Sequence, residues 1–334
     1  AGLTAGVTAP LLGLGAVSAA AATSFSTNMA NVQTLLTDLA DGGTARTQEL
    51  SQAVQTMAMA TGKSTDDLAG GLYQVISAFG DTSDTVGILQ INAQAAAAGL
   101  ATTEQAIALT SSVTKGYGDT SQAAVQQVAD LAFQTVKLGQ TTFPELASAM
   151  GSVVPLAASL GASQEELFGV MATATGVTGS ASEVSTQLRG VLQSLMAPTG
   201  NMAELIKSMG YESGAAMLQQ EGLQGTIAAI VAAAEATGDP LQKYIGSIEG
   251  QTLALALAGP QADAFSEKLA AMGTAAGAAD AAFAGQTQGV GATAFAMQQM
   301  QQSMAVVAQD LGAALIPALS AAMTAAQPLI DRII

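Results

Sequence analysis

From residue 62 onward, apolar positions recur with helical spacing and glycines punctuate them. Gly62, Gly80, Gly99, Gly118, Gly139, Gly161 and Gly179 fall at intervals of 18 to 22 residues. Between them, Leu68, Leu72, Val75, Ile76 and Phe79 follow the i, i+4, i+7, i+8, i+11 spacing of one helix face. Val125, Val128, Ala129, Ala132, Phe133 and Val136 repeat it, and so do Leu167, Val170, Met171, Ala174 and Val177. Start signals agree. Ser64-Thr65-Asp66-Asp67, Thr102-Thr103-Glu104-Gln105, Thr142-Phe143-Pro144-Glu145 and Ser163-Gln164-Glu165-Glu166 are capping boxes or close relatives. A glycine past the last turn is the usual stop, because it tolerates the left-handed conformation there. The pattern predicts short antiparallel helices over residues 44–197, each of about 14 to 18 residues. They share caps and stops but little else, so an irregular all-α bundle is expected rather than a solenoid.

The ends of the chain read differently. The first charge is Asp38. Residues 1–37 carry Leu11, Leu12, Leu14 and Val17 in an Ala/Gly background, which resembles a signal or a membrane span. No basic segment precedes them, however, and Ser, Thr and Asn dilute the stretch after residue 22. A helix entered through Thr8 and Pro10 is expected instead. Residues 270–292 hold Gly273-x-x-x-Gly277 and Gly285-x-x-x-Gly289, a spacing that pairs helices in membranes. Thr, Gln and Asp280 interrupt it, so a flexible or closely packed linker is expected. Leu253, Leu255 and Leu257 alternate with Ala at a strand period, over too short a run to outweigh their surroundings. The last helix carries Met297, Met300, Met304, Val307, Leu311, Leu315, Ala318 and Ala322, a near-heptad seam. Pro317 lies inside it and should kink the helix. The seam either packs on the rest of the chain or joins copies of it. The expected organisation is an apolar N-terminal helix and connection (1–43), a helical core (44–269), the linker (270–292) and a long amphipathic C-terminal helix (293–334).

Composition then narrows the chemistry. The 334 residues include 72 Ala and 36 Gly, so close helix approach must replace bulky side chains in the core. Charged residues are 10%, and 25 acids against nine bases give a net charge of −16. Low charge with 49% hydrophobic residues argues against disorder. There is no Cys, His or Trp. Disulfides, ordinary structural zinc sites and His-dependent nucleophiles are therefore excluded. No basic patch exists to drive nucleic-acid binding by counterion release. The chain opens Ala1-Gly2-Leu3 without an initiator methionine and is expected to be a piece of a longer protein.

The remaining motifs read as structural. Asp66-Asp67 and Glu165-Glu166 sit in first helical turns, where acids favour the helix dipole, and adjacent positions point apart. Asp38/Asp41 and Asp81/Asp84 lie at loop edges without the acid density of a calcium loop. Gly-Val-Gly at 289–291 and Gly-Tyr-Gly at 116–118 lack the strand, the third glycine and the lysine of a nucleotide site. No catalytic residue, cofactor site or metal site is expected, and the chain is read as a non-enzyme. Arg189 stands on a helix whose apolar face is Val184, Leu188, Val191, Leu192 and Leu195. It is expected to be structural, snorkelling along that face or bridging a neighbouring carboxylate or carbonyl.

The run Ser185-Thr186-Gln187-Leu188-Arg189-Gly190-Val191-Leu192, with Leu195, Pro198-Thr199, Leu205 and Met209-Gly210, resembles the core region of phage tail tape measure proteins. Val128-Ala129-Asp130, Gly139-Gln140-Thr141-Thr142, Glu145-Leu146-Ala147, Val154-Pro155-Leu156-Ala157 and Leu160-Gly161 are similar to it as well. So are the opening, Leu3 to Pro10 with Phe25 and Met29, and the close, Leu311-Gly312 with Leu315-Ile316-Pro317. Arg189, Pro198, Asp130, Gly139 and Gly161 are the structural signature that the resemblance picks out. The long coiled-coil arms and the hydrolase domains of some members are absent from this sequence.

The resemblance implies a structural role. Several copies along one axis template the tail tube, fill its lumen in the virion, contact tube and tip proteins, and leave ahead of the DNA. Some members are thought to enter or cross the host envelope. No specific nucleic-acid binding is expected, since acidic helices repel the genome. The alternative is a secreted or pore-forming helical protein, suggested by the uncharged segments 1–37 and 311–330. Pro317, Gln327 and Pro328 weaken the second of these as a span.

Overall fold

The computed structural model describes the backbone of residues 3–39 and 41–330, and the side chains of residues 18–39, 41–318 and 321. The described residues form sixteen α-helices, one 3-10 turn at Leu241–Lys243 and no strand. In chain order the helices are α1 (Leu3–Gln33), α2 (Thr44–Thr61), α3 (Thr65–Phe79), α4 (Thr85–Ala98), α5 (Thr103–Tyr117), α6 (Gln122–Leu138), α7 (Phe143–Met150) and α8 (Val154–Leu160). They continue as α9 (Gln164–Thr178), α10 (Ala181–Met196), α11 (Gly200–Ser208), α12 (Gly214–Thr237), α13 (Ile248–Ala258), α14 (Ala262–Met272), α15 (Ala278–Gln288) and α16 (Ala292–Ile330). The fold class is all-α, as the periodicity requires.

The local signals act where the sequence places them. Ser64, Thr102, Thr142 and Ser163 each accept the backbone N–H three residues on, and the last three form complete capping boxes. Asp41 caps α2, accepting the N–H of Gly43 at 3.0 Å and of Ala45 at 2.7 Å. One stop differs. After α4 the left-handed residue is Leu100 (φ 52°), not Gly99. Gly99 is needed for space, since an added Cβ would lie 2.9 Å from Phe143 Cβ. The stretch 143–160 is two short helices, because the turn at 151–153 and Pro155 divide it. The strand-like Leu253/Leu255/Leu257 run is helical, with Leu253 and Leu257 buried and Leu255 exposed.

The chain forms two compact units, Ala1–Ala93 with Gln286–Ile334, and Gln94–Gly285. In the first, α16 packs along α1 and α2, and α3 closes against α1. Ala22, Phe25, Met29, Val32, Leu50, Val54, Leu68, Leu72 and Val75 are among its buried residues. Arg46 grips Asp81 bidentately, at 2.9 Å from Nε and 2.8 Å from Nη2. Helix α1 begins at Leu3, ahead of the expected entry at Thr8 and Pro10. The side chains of Leu11, Leu12, Leu14 and Val17 lie outside the described residues.

The second unit is organised around α9 and α10. Helix α9 is buried continuously from Leu167 to Thr175, although Val177, the last of its expected stripe, is exposed at the helix end. Helix α10 touches α7, α8, α9, α12 and α13. Phe143, Phe168 and Phe265 fill the centre, and the rings of Phe133 and Phe143 lie 5.2 Å apart. The rest of the packing uses small residues. At the α10–α13 crossing a Cβ on Gly190 would overlap Ser247 Oγ and come within 3.1 Å of the Gly250 nitrogen. The segment 270–292, read from sequence as a linker, contains α15.

Candidate functional site

The most conspicuous surface feature is the outer face of α16. Met297, Met300, Met304, Val307, Leu311 and Leu315 are all exposed, from 49% to 65%. The inward face is instead Phe295, Gln299, Gln302, Val306, Gln309 and Gly312, spaced by three and four. Polar side chains hook this face onto the unit. Gln299 Nε2 donates to the Ala60 carbonyl at 3.4 Å, and Gln309 Nε2 to Thr65 Oγ1 at 2.6 Å. Asp310 beside it accepts from Gln55 Nε2 at 3.0 Å. Of the two readings of the seam, packing on the rest of the chain is therefore not what the folded unit uses it for. The helix runs through Pro317 without a break. The side chain of Ala322, at the end of the seam, lies outside the described residues.

The five signature residues are dispersed rather than gathered in one site. Asp130, on α6, is buried and works across the unit. Its carboxylate accepts the N–H of Gly277 at 3.0 Å and of Ala279 at 2.9 Å, and so caps α15. Gln126 Nε2 donates to the same group at 3.2 Å. Gly139 lets the end of α6 meet α9, where a Cβ would lie 2.7 Å from Thr175 Oγ1 and 3.0 Å from Ala172 Cα. Gly161 ends α8 at φ +84°. Pro198 is exposed between α10 and α11, after the capping carbonyl of Gln193 has been used by Ala197. Arg189 is half-buried and makes no ion pair or hydrogen bond among the described residues. The bridge considered for it is not formed among the described residues.

Of the paired acids, Glu166 closes a capping box, while Asp66 and Glu165 accept from side chains of neighbouring helices. Glu166 accepts the N–H of Ser163 at 2.9 Å and, across the unit, the N–H of Leu223 where α12 breaks at Gly222. Asp66 accepts from Asn28 Nδ2 at 2.7 Å and ties α3 to α1. Burial, then the charges of Glu166 and Glu165, push the Tyr117 phenol up. Desolvation lowers the Lys268 ammonium, which donates to the Ala172 carbonyl at 3.0 Å. Among the described residues no cluster of three acids could hold a metal. No single described helix is long and apolar enough to cross a membrane, though α7 and α8, bent by 64°, pass that test together. Much of the uncharged segments 1–37 and 311–330 lies outside the described side chains.

Sequence reasoning named Gly190 and Gly312 only as parts of the family motifs, without their packing role, and missed Gln309. The glycines could have been noticed as costly residues inside strong helical patterns. Nothing local marks Gln309.

Comparison with known proteins agrees with the resemblance read from sequence. A family model described as phage-related minor tail protein matches residues 51–250. The tape measure protein of Pneumococcus phage Dp-1 is 30% identical over 277 residues, covering 78% of this chain. The chain spans 23% of that relative's length. No solved structure matches. With more than half of its length matched by one family model, this chain belongs to the phage-related minor tail protein family.

Proposed function

We propose that this chain is the folded core of a tape measure protein that joins its copies along one axis through the outer seam of α16. The observation that carries this reading is the exposure of all six seam residues, Met297, Met300, Met304, Val307, Leu311 and Leu315. A near-heptad stripe left in water by its own fold has a large apolar area to bury in a coiled-coil contact. The family supplies the setting, a structural component of a phage tail. In that setting the copies template the length of the tail tube, lie in its lumen against tube and tip proteins, and leave ahead of the genome. The same seam offers an apolar face to the host envelope once the protein has left the tube.

Sedimentation velocity tests the association. The chain should form a concentration-dependent oligomer, and the double variant Met304→Glu with Leu311→Glu should sediment as a monomer with unchanged helix content. A native chain that stays monomeric at the highest soluble concentration would remove the seam from the mechanism. Flotation with anionic liposomes, with and without the double substitution, tests the envelope contact in the same way.

A further inference from the structure

Half of the α16 seam is sulfur. Met297, Met300 and Met304 are 50%, 50% and 65% exposed, the highest values among the described methionines. Steps of three and four residues place them side by side on one face of the helix. The inward face, Phe295, Gln299, Gln302, Val306, Gln309 and Gly312, carries no thioether. The methionines that do pack inside the first unit, Met29 and Met57, are buried. The chain also has no Cys, His or Trp, so no thiol competes for an oxidant that reaches the seam. Of the other exposed methionines, Met59, Met196 and Met209 stand singly and are less exposed.

A thioether in water reacts with peroxides. Its sulfur attacks one peroxide oxygen, an S–O bond forms as the O–O bond breaks, and the remaining oxygen leaves as water. The sulfur gives up two electrons and the peroxide takes them, so an apolar side chain becomes a polar sulfoxide. We propose that Met297, Met300 and Met304 are a peroxide-sensitive modification site that switches off association through the seam. The substitution of thioether by sulfoxide changes only the outward face of α16, so the unit stays folded while its contact surface turns polar. A contact between copies would then bury sulfoxide oxygens without donors to meet them. Copies already joined shield the same sulfurs, so the site acts on the free chain. This inference rests on the seam reading above and adds its regulation.

The test treats the dilute, intact chain with hydrogen peroxide and reads two things: oxygen gained per methionine, by peptide mass spectrometry, and association, by sedimentation velocity. Met297, Met300 and Met304 should oxidise ahead of Met29 and Met57. Association should weaken by about tenfold or more, the effect of burying one unpaired acceptor, with helix content unchanged. Reduction by the two methionine sulfoxide reductases, one for each sulfoxide epimer, should restore it. The control is the triple variant Met297→Leu, Met300→Leu, Met304→Leu, which keeps the seam apolar and removes its sulfur. It should associate like the native chain and ignore peroxide. Met323, whose side chain lies outside the described residues, is present in both chains and cancels in the comparison. An oligomer that persists with all three sulfoxides formed would overturn the switch and leave the seam standing. Equal oxidation of Met29 and Met57, dissociation of the leucine variant by peroxide, or no recovery with the reductases would also overturn it. If the untreated native chain and the leucine variant are both monomeric, the seam reading itself fails and takes the switch with it.

Discussion

Gly312 gives the sharpest test of how the first unit is built. It lies on the buried face of α16 where that helix crosses α1. A methyl group there would overlap the Ser18 carbonyl oxygen, and it would stand 2.6 Å from the Ser18 carbonyl carbon and 2.8 Å from Ala22 Cβ. Ordinary contact begins at 3.4 Å, so clearing the carbonyl carbon alone parts the helices by 0.8 Å (3.4 − 2.6), and clearing the overlapping oxygen takes more. The obstacle is backbone, which cannot rotate away as a side chain can. Overpacking of this kind costs about 1–3 kcal/mol, and a backbone partner puts the cost at the upper end. Removing a helix glycine returns about 1 kcal/mol. Gly312→Ala should therefore destabilise the first unit by about 2 kcal/mol. The matched control is Gly285 in α15, where an added Cβ meets nothing within 4 Å. Gly285→Ala should stabilise by about 0.5–1 kcal/mol. Urea unfolding followed by helix dichroism reads both shifts, and amide exchange in α1 and α2 assigns the first to its unit. A Gly312→Ala midpoint at or above the native value would refute the crossing.

Three further outcomes follow from the geometry. Leu100 is 84% exposed and sits at φ 52°, so Leu100→Gly should raise the stability of the second unit by about 1 kcal/mol, read as a higher urea midpoint. Asp130→Ala leaves two helix-start N–H groups without their acceptor and should cost about 1–3 kcal/mol, with faster amide exchange at Gly277 and Ala279. Arg189→Met keeps the stem and removes a charge that pairs with nothing described, so its melting temperature should stay within the range of a shift of about 0.5 kcal/mol.

What was legible in the sequence was what is decided locally. Ser64, Thr102, Thr142 and Ser163 cap their helices because a hydroxyl three residues ahead of an N–H needs no help from the rest of the chain. Gly62, Gly118, Gly161 and Gly179 end helices for the same reason. The seam was visible as a stripe, but a stripe does not say what covers it. Gly312 decides that, by turning the Gln-rich side of α16 toward α1. Asp130 could be picked out but not explained, since the amides it caps lie 147 and 149 residues away. Gln309 looked like any polar residue of an amphipathic helix. Its burial depends on three helices meeting, which no local pattern encodes.

The proposal that this chain is a folded core implies that its second compact unit does not lie in the tail as an extended helix. It is tested by replacing residues 94–285, the second compact unit, with a short Gly/Ser linker in the phage and measuring tails by electron microscopy. An extended helix of those 192 residues (285 − 94 + 1) would span about 290 Å at 1.5 Å per residue. A folded core predicts tails of unchanged length. Tails shorter by about 290 Å would show that the unit is stretched along the tube, and would contradict it.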